Sequence, residues 1–165
     1  MAAFGRSGRI LSTVVLGLLL LGGLVYLLCR NSSSVYFLAS LFPEPIAYSM
    51  SAAAVCSAVP SFIHIYAFIL LTAVVLNPSR AGLALICLGW MATELFFEFG
   101  QHPFFAQRLT EKIPAWFEDF PFLEVADTYF LTGTFDPLDV LFLFFGTAAA
   151  LLTLHKVQRW EVDHV

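Results

Sequence analysis

Charge is scarce in this chain. Only 12% of its 165 residues are Asp, Glu, Lys or Arg, against about 25% in an average soluble domain. That shortage excludes an ordinary water-soluble fold. Lys and Arg together number 8 and gather into no basic patch, which argues against nucleic acid as a partner. The three cysteines, Cys29, Cys56 and Cys87, stand far apart with no C-x-x-C spacing and no His pair nearby. This argues against a disulfide framework or a zinc site, and small apolar packing residues are the expected role of the thiols. No motif for serine, cysteine or zinc chemistry occurs, and no cofactor is called for. Periodic repeats, low-complexity blocks and domain-scale linkers are also missing.

What the chain has in abundance is hydrocarbon. Hydrophobic residues make up 59% of it, Phe alone accounts for 18 positions, and the mean hydropathy is +0.84. The expectation is an all-α integral membrane protein, a single domain over 1–165 with four transmembrane helices at about 10–29, 60–76, 81–100 and 137–154. Each run approaches the roughly 20 residues needed to cross a bilayer. The first, Ile10 to Cys29, exceeds the ~7–15 residues of a signal-peptide core and has no small-x-small cleavage site after it, so it is read as a retained span. The second opens at Pro60, suited to a helix start, and stops at the turn signal Asn77-Pro78-Ser79-Arg80.

Two connections remain, 30–59 and 101–136, and both are expected to be external. Pro43 and Pro45 break the first. Its apolar part, Ile46 to Val59, is short for a span and is read as an interfacial loop, with a re-entrant helix as the alternative. The second mixes Trp116, Phe117, Phe120 and Tyr129 with Glu111, Glu118, Asp119 and Asp127. Rings that anchor and acids that stay wet suit a headgroup layer, and Pro114 and Pro121 permit only short helices there. Arg6, Arg9, Arg80, Lys156 and Arg159 fall on one side of a four-span topology. The positive-inside rule therefore makes both termini cytoplasmic.

This topology gathers the unusual residues at one depth. His64 lies about a turn into the second span, Glu94 and Glu98 occupy the last two turns of the third, and Asp136 and Asp139 open the fourth. At 1.5 Å per residue, Glu94 sits about 9 Å below the Gly100 end and Glu98 about 3 Å. A spacing of four puts both carboxyls on one face, which Gln101 continues and His102 adjoins. Simple structural roles exist for several: Asp136 before Pro137 reads as a helix cap, Asp139 as a first-turn acid beside the helix dipole, and His64 as a packing histidine. Glu94 is harder to dismiss, since a carboxylate near a helix centre can cost ~2.5–3.5 kcal/mol. A polar outer-leaflet pocket formed by His64, Glu94, Glu98, Gln101, His102, Asp136 and Asp139 would accommodate it, as a protonated acid or an ion pair with His64.

The segments PSFIHIYAFILLT, ELFFEFGQ and FDPLDVLFLFFGTAAALL resemble the VanZ-like membrane proteins over roughly residues 60–152. The resemblance places His64 on the family His, Glu98 and Gln101 on its Glu-x-x-Gln, Asp139 on its acidic helix start and Gly146 on its helix glycine. The chain departs from the family pattern at Gly133 and Leu143, where an Arg and an Asn are usual. Membership would imply a multi-pass protein of the bacterial cytoplasmic membrane, linked to glycopeptide (teicoplanin) resistance or envelope homeostasis. Three functions fit these residues. The favoured one is a non-enzymatic accessory or binding protein whose partners are membrane lipids, a lipid headgroup, a cation or another membrane protein. The second is a small enzyme acting on a lipid-linked envelope substrate by Glu/His acid–base chemistry, for which bridging by a divalent metal is left open. The third is a cation or proton carrier.

Overall fold

The computed structural model describes residues 6–29, 53–121 and 123–163. Among them the secondary structure is helical throughout, in the order α1 (Arg6–Cys29), α2 (Ala53–Leu76), α3 (Arg80–Gly100), α4 (Pro103–Thr110), a 3-10 turn (Ala115–Asp119), α5 (Ala126–Thr132) and α6 (Pro137–Asp163). Four of these helices, α1, α2, α3 and α6, are long and apolar enough to cross a membrane.

The start of α2 differs from the sequence expectation. The helix begins at Ala53 rather than Pro60 and carries Pro60 in its interior. Residues 53–59, expected in the first connection, thus extend α2, while 30–52, including the rest of the re-entrant candidate Ile46–Val59, lie outside the described residues. Two forces oppose each other here. Proline removes one backbone hydrogen bond, but the preceding run is rich in alanine, the best helix former, and packed membrane helices tolerate proline where neighbours satisfy the freed groups. Ala58, in the added part of the helix, is buried.

α2 is the central helix, packed along α1 on one side and α6 on the other, with α3 against both α2 and α6. Contacts fix the directions. Gly22 in the later half of α1 meets Ile63 in the earlier half of α2. Ser61 reaches Asp139, and further along Tyr66 reaches Thr153, so α2 and α6 run together. The α2–α3 turn is tight. Asn77 closes it at φ 44° with its N–H on the Ala73 carbonyl, and the Ser79 hydroxyl caps α3 by accepting from the Gly82 N–H at 3.2 Å. Asn is one of the few residues that enter the left-handed region without much strain, so the turn signal read in the sequence has a direct cause.

Helices meet in lipid through close packing rather than hydrophobic transfer, and small residues allow backbones to approach. Gly146 is the sharpest case: a Cβ there would stand 2.5 Å from Ile65 Cγ2 and 2.8 Å from the Phe62 carbonyl oxygen. The core concentrates toward the Arg80 end, where Leu11, Val15, Leu70, Ala73, Leu83 and Leu154 interlock with the buried Cys87. At the opposite end α4 packs on α5 and on the end of α3, with Phe130 buried against Gly100. The expectation of only short helices around Pro114 and Pro121 matches this arrangement.

Candidate functional site

One stripe of α3 carries the site. Leu83, Cys87, Trp90, Glu94, Glu98 and Gln101 recur at intervals of three or four residues and so share a helix face. Its first two members are buried in the core. Its last three are polar and turn toward α2, α6 and the α5 end of the molecule. The face that packs into the bundle is thus the same face that holds the carboxyls.

Glu94 meets α2: its Oε1 lies 3.1 Å from His64 Nδ1, with side-chain exposures of 16% for the glutamate and 52% for the histidine. The imidazole is held from the other side by the edge of Phe68, ring centroids 4.3 Å apart, and Phe68 stacks on Trp90 at 4.6 Å. Trp90 Nε1 donates to Thr72 Oγ1 at 2.9 Å. His64, Phe68 and Thr72 follow one another at intervals of four along α2, so a ladder of polar and aromatic contacts ties α2 to α3. The ladder fixes the ring plane and aims Nδ1 at the carboxyl.

Glu98 and Asp139 share a capping problem. Asp136 caps α6 through its side chain, which accepts from the Leu138 N–H at 2.9 Å. In a capping box the residue three positions on would reach back to the cap's own N–H. That residue is Asp139, yet here Glu98 of α3 does the work, accepting from the Asp136 N–H at 2.8 Å. Asp139 turns instead to α2 and accepts from the Ser61 hydroxyl at 2.8 Å while only 8% exposed. A carboxyl borrowed from one helix completes another helix's terminus, and the displaced carboxyl enters the site.

These groups border a cavity of about 1220 Å³. His64, Glu94, Glu98, Gln101 and Asp139 all line it, so the structure brings together five of the seven residues proposed from the sequence. The other two are not among its walls. His102 caps α4, its Nδ1 accepting from the Phe104 N–H at 3.2 Å, with its ring edge-on to Phe135. Asp136 serves the start of α6, as the cap reading anticipated. Ser61, Phe68, Trp90 and Lys112 belong to the cavity and were not singled out from the sequence. The spacing of His64, Phe68 and Thr72 was a usable signal for Phe68. Lys112 gave none, because only the fold of 103–132 brings it to the mouth.

The two departures from the VanZ-like pattern have structural counterparts. At Gly133 a Cβ would fall 2.5 Å from the Gln101 side chain, so glycine leaves room for that glutamine. Leu143 is buried on the cavity wall. Among the described residues no three His, Cys, Asp or Glu side chains converge as a metal-holding set. Comparison of the chain with protein-family models, curated proteins and solved structures finds no significant match.

Proposed function

We propose that this chain is a VanZ-like, multi-pass protein of the bacterial cytoplasmic membrane, acting as a non-enzymatic binding or accessory protein of the cell envelope. The Arg80 end, with both termini, faces the cytoplasm, and the cavity opens into the outer leaflet beneath the 101–136 connection. The observation that carries the reading is the cavity itself: an imidazole and three carboxyls from three helices surround one large apolar-walled space. Ionisable side chains in a membrane are costly and normally mark a ligand or ion pathway. Support for the orientation comes from the placement of Arg6, Arg9, Arg80, Lys156 and Arg159 at one end of the four helices.

The His64–Glu94 pair favours a second reading, a small enzyme on a lipid-linked substrate. A carboxylate that orients an imidazole through Nδ1 leaves Nε2 to exchange a proton with a bound group. The carrier reading has less support, because Leu70, Ala73, Leu83 and Leu154 pack the Arg80 half with apolar side chains.

Two experiments test the proposal. Single cysteines at Glu118 and Ser79, labelled with an impermeant maleimide on intact cells, should react at 118 and stay silent at 79; the reverse pattern overturns the orientation. Glu94→Gln should leave expression and folding intact while removing the glycopeptide-tolerance or envelope phenotype that the wild-type chain confers. An unchanged phenotype, together with a stabilised Glu94→Leu, would make the cluster structural. Mass analysis of lipid bound before and after incubation separates the two readings, since conversion of the bound lipid means catalysis.

A further inference from the structure

We propose that the cavity takes an amine-bearing lipid, its ammonium seated against Glu94 and its acyl chain lying in the gap between α1 and α3. The inference rests on the binding reading above and names the ligand class. Charge decides the headgroup. Glu94, Glu98 and Asp139 border the cavity, with only His64 and Lys112 to offset them. An ammonium relieves the repulsion among carboxylates, so a headgroup whose phosphate is balanced by an amine fits where one bearing the anion alone compounds the repulsion. Glu94 Oε1 stands 3.1 Å from His64 Nδ1, and a carboxylate has lone pairs for more than one donor. The stacked rings of Phe68 and Trp90 stand on the same wall, and aromatic faces add attraction for a cation.

Size and shape decide that the amine belongs to a lipid. At about 1220 Å³ the space exceeds the roughly 300–1,000 Å³ of an ordinary small-molecule pocket, far beyond what a bare ammonium or metal ion fills. Its other walls are apolar, with Leu19, Ile63, Phe96 and Leu143 among them. Leu19 and Gly23 of α1 and Phe96 of α3 line the space on either side of α2, so among the described residues the interval between α1 and α3 is the route for the chain toward hydrocarbon. Gly23 leaves the α1 side of that gap bare, with open space where its Cβ would be. A chain can slide in sideways while its headgroup remains at the level of the carboxyls.

Trp90 supplies the reporter. The full chain carrying Trp116→Phe and Trp160→Phe, so that Trp90 alone fluoresces, is reconstituted into nanodiscs with brominated-chain phosphatidylethanolamine or phosphatidylglycerol. The amine lipid should quench Trp90 at a mole fraction about 10-fold lower than the glycerol lipid, equivalent to about 1.4 kcal/mol. Glu94→Gln should reduce that preference to about 2-fold or less, and Gly23→Phe, which fills the gap without touching a polar group, should abolish the cavity-dependent quenching by both lipids. Equal quenching by the two lipids, or a preference that survives Glu94→Gln, overturns the proposal. If the glutamine variant does not fold, the wild-type preference and its loss in Gly23→Phe decide. Preference for the anionic lipid that depends on Lys112 would sink the amine assignment and leave the binding reading standing. Quenching by neither lipid beyond the Gly23→Phe level would remove both.

Discussion

The two ends of the bundle are built from the same four helices and differ in what joins them. At the Arg80 end Leu11, Val15, Leu70, Leu83 and Leu154 interlock around small neighbours, with the Trp90–Thr72 and Tyr66–Thr153 hydrogen bonds beside them. At the other end α2 meets α3 through His64 and Glu94, and α6 through Ser61 and Asp139, around a large space. The lesson concerns division of labour. In a bilayer, apolar side chains would gain nothing by leaving lipid for one another, so close packing would give the bundle its rigidity. With that rigidity concentrated at one end, the other can remain open and spend its polar groups on orientation.

Four substitutions probe the contrast, from the largest expected effect to the smallest. Gly146→Leu sits where α6 touches the α2 backbone, and relief requires the helices to part because the Phe62 carbonyl cannot move aside. A loss of about 3 kcal/mol or more is expected, at the upper end of overpacking costs, read as failure to recover folded protein or a sharp fall in Tm. Normal stability there would show that α2 and α6 separate easily. Leu154→Ala in the apolar end should cost on the order of 1–2 kcal/mol, less than the ~2–5 of a water-soluble core, because packing is lost without a transfer term. Thermal unfolding in nanodiscs measures it; a cost at the soluble-protein level would mean water reaches that end.

In the polar end, a double-mutant cycle of His64→Ala with Glu94→Gln should give a coupling of about 0.6–1.7 kcal/mol, the range for interhelical hydrogen bonds in membranes. A coupling near zero would mean that the pair contributes only to ligand contact. Smallest of all is Gly133→Ala. Its backbone, at φ −66° and ψ 158°, suits alanine, and the obstacle is the far end of the Gln101 side chain, which can rotate away. The Tm change should correspond to less than about 1 kcal/mol. A drop as large as that of Gly146→Leu would show that Gln101 is held rigidly in the cavity wall.

The turn at Asn77, the cap at Asp136, and the common face of Glu94 and Glu98 were legible because each depends on residues within four positions. The start of α2 was not. Pro60 reads as a helix start in isolation, yet the helix runs through it and buries Ala58 on the far side. His102 was a similar case: adjacency to Gln101 suggested the site, but the turn into α4 bends its ring to the Phe104 N–H.

Hydrophobic content and run length by themselves determined four apolar helices, because burying backbone polar groups in hydrocarbon leaves helix as the ready solution for a single segment. Tertiary structure alone decided which polar groups meet. Glu98 rather than Asp139 completes the cap of α6, and Asp139 therefore faces Ser61. Lys112 reaches the cavity mouth only because the short helices fold back. Such pairings depend on distances between helices far apart in the chain, and local periodicity sets the face of each helix but not which face it finds opposite.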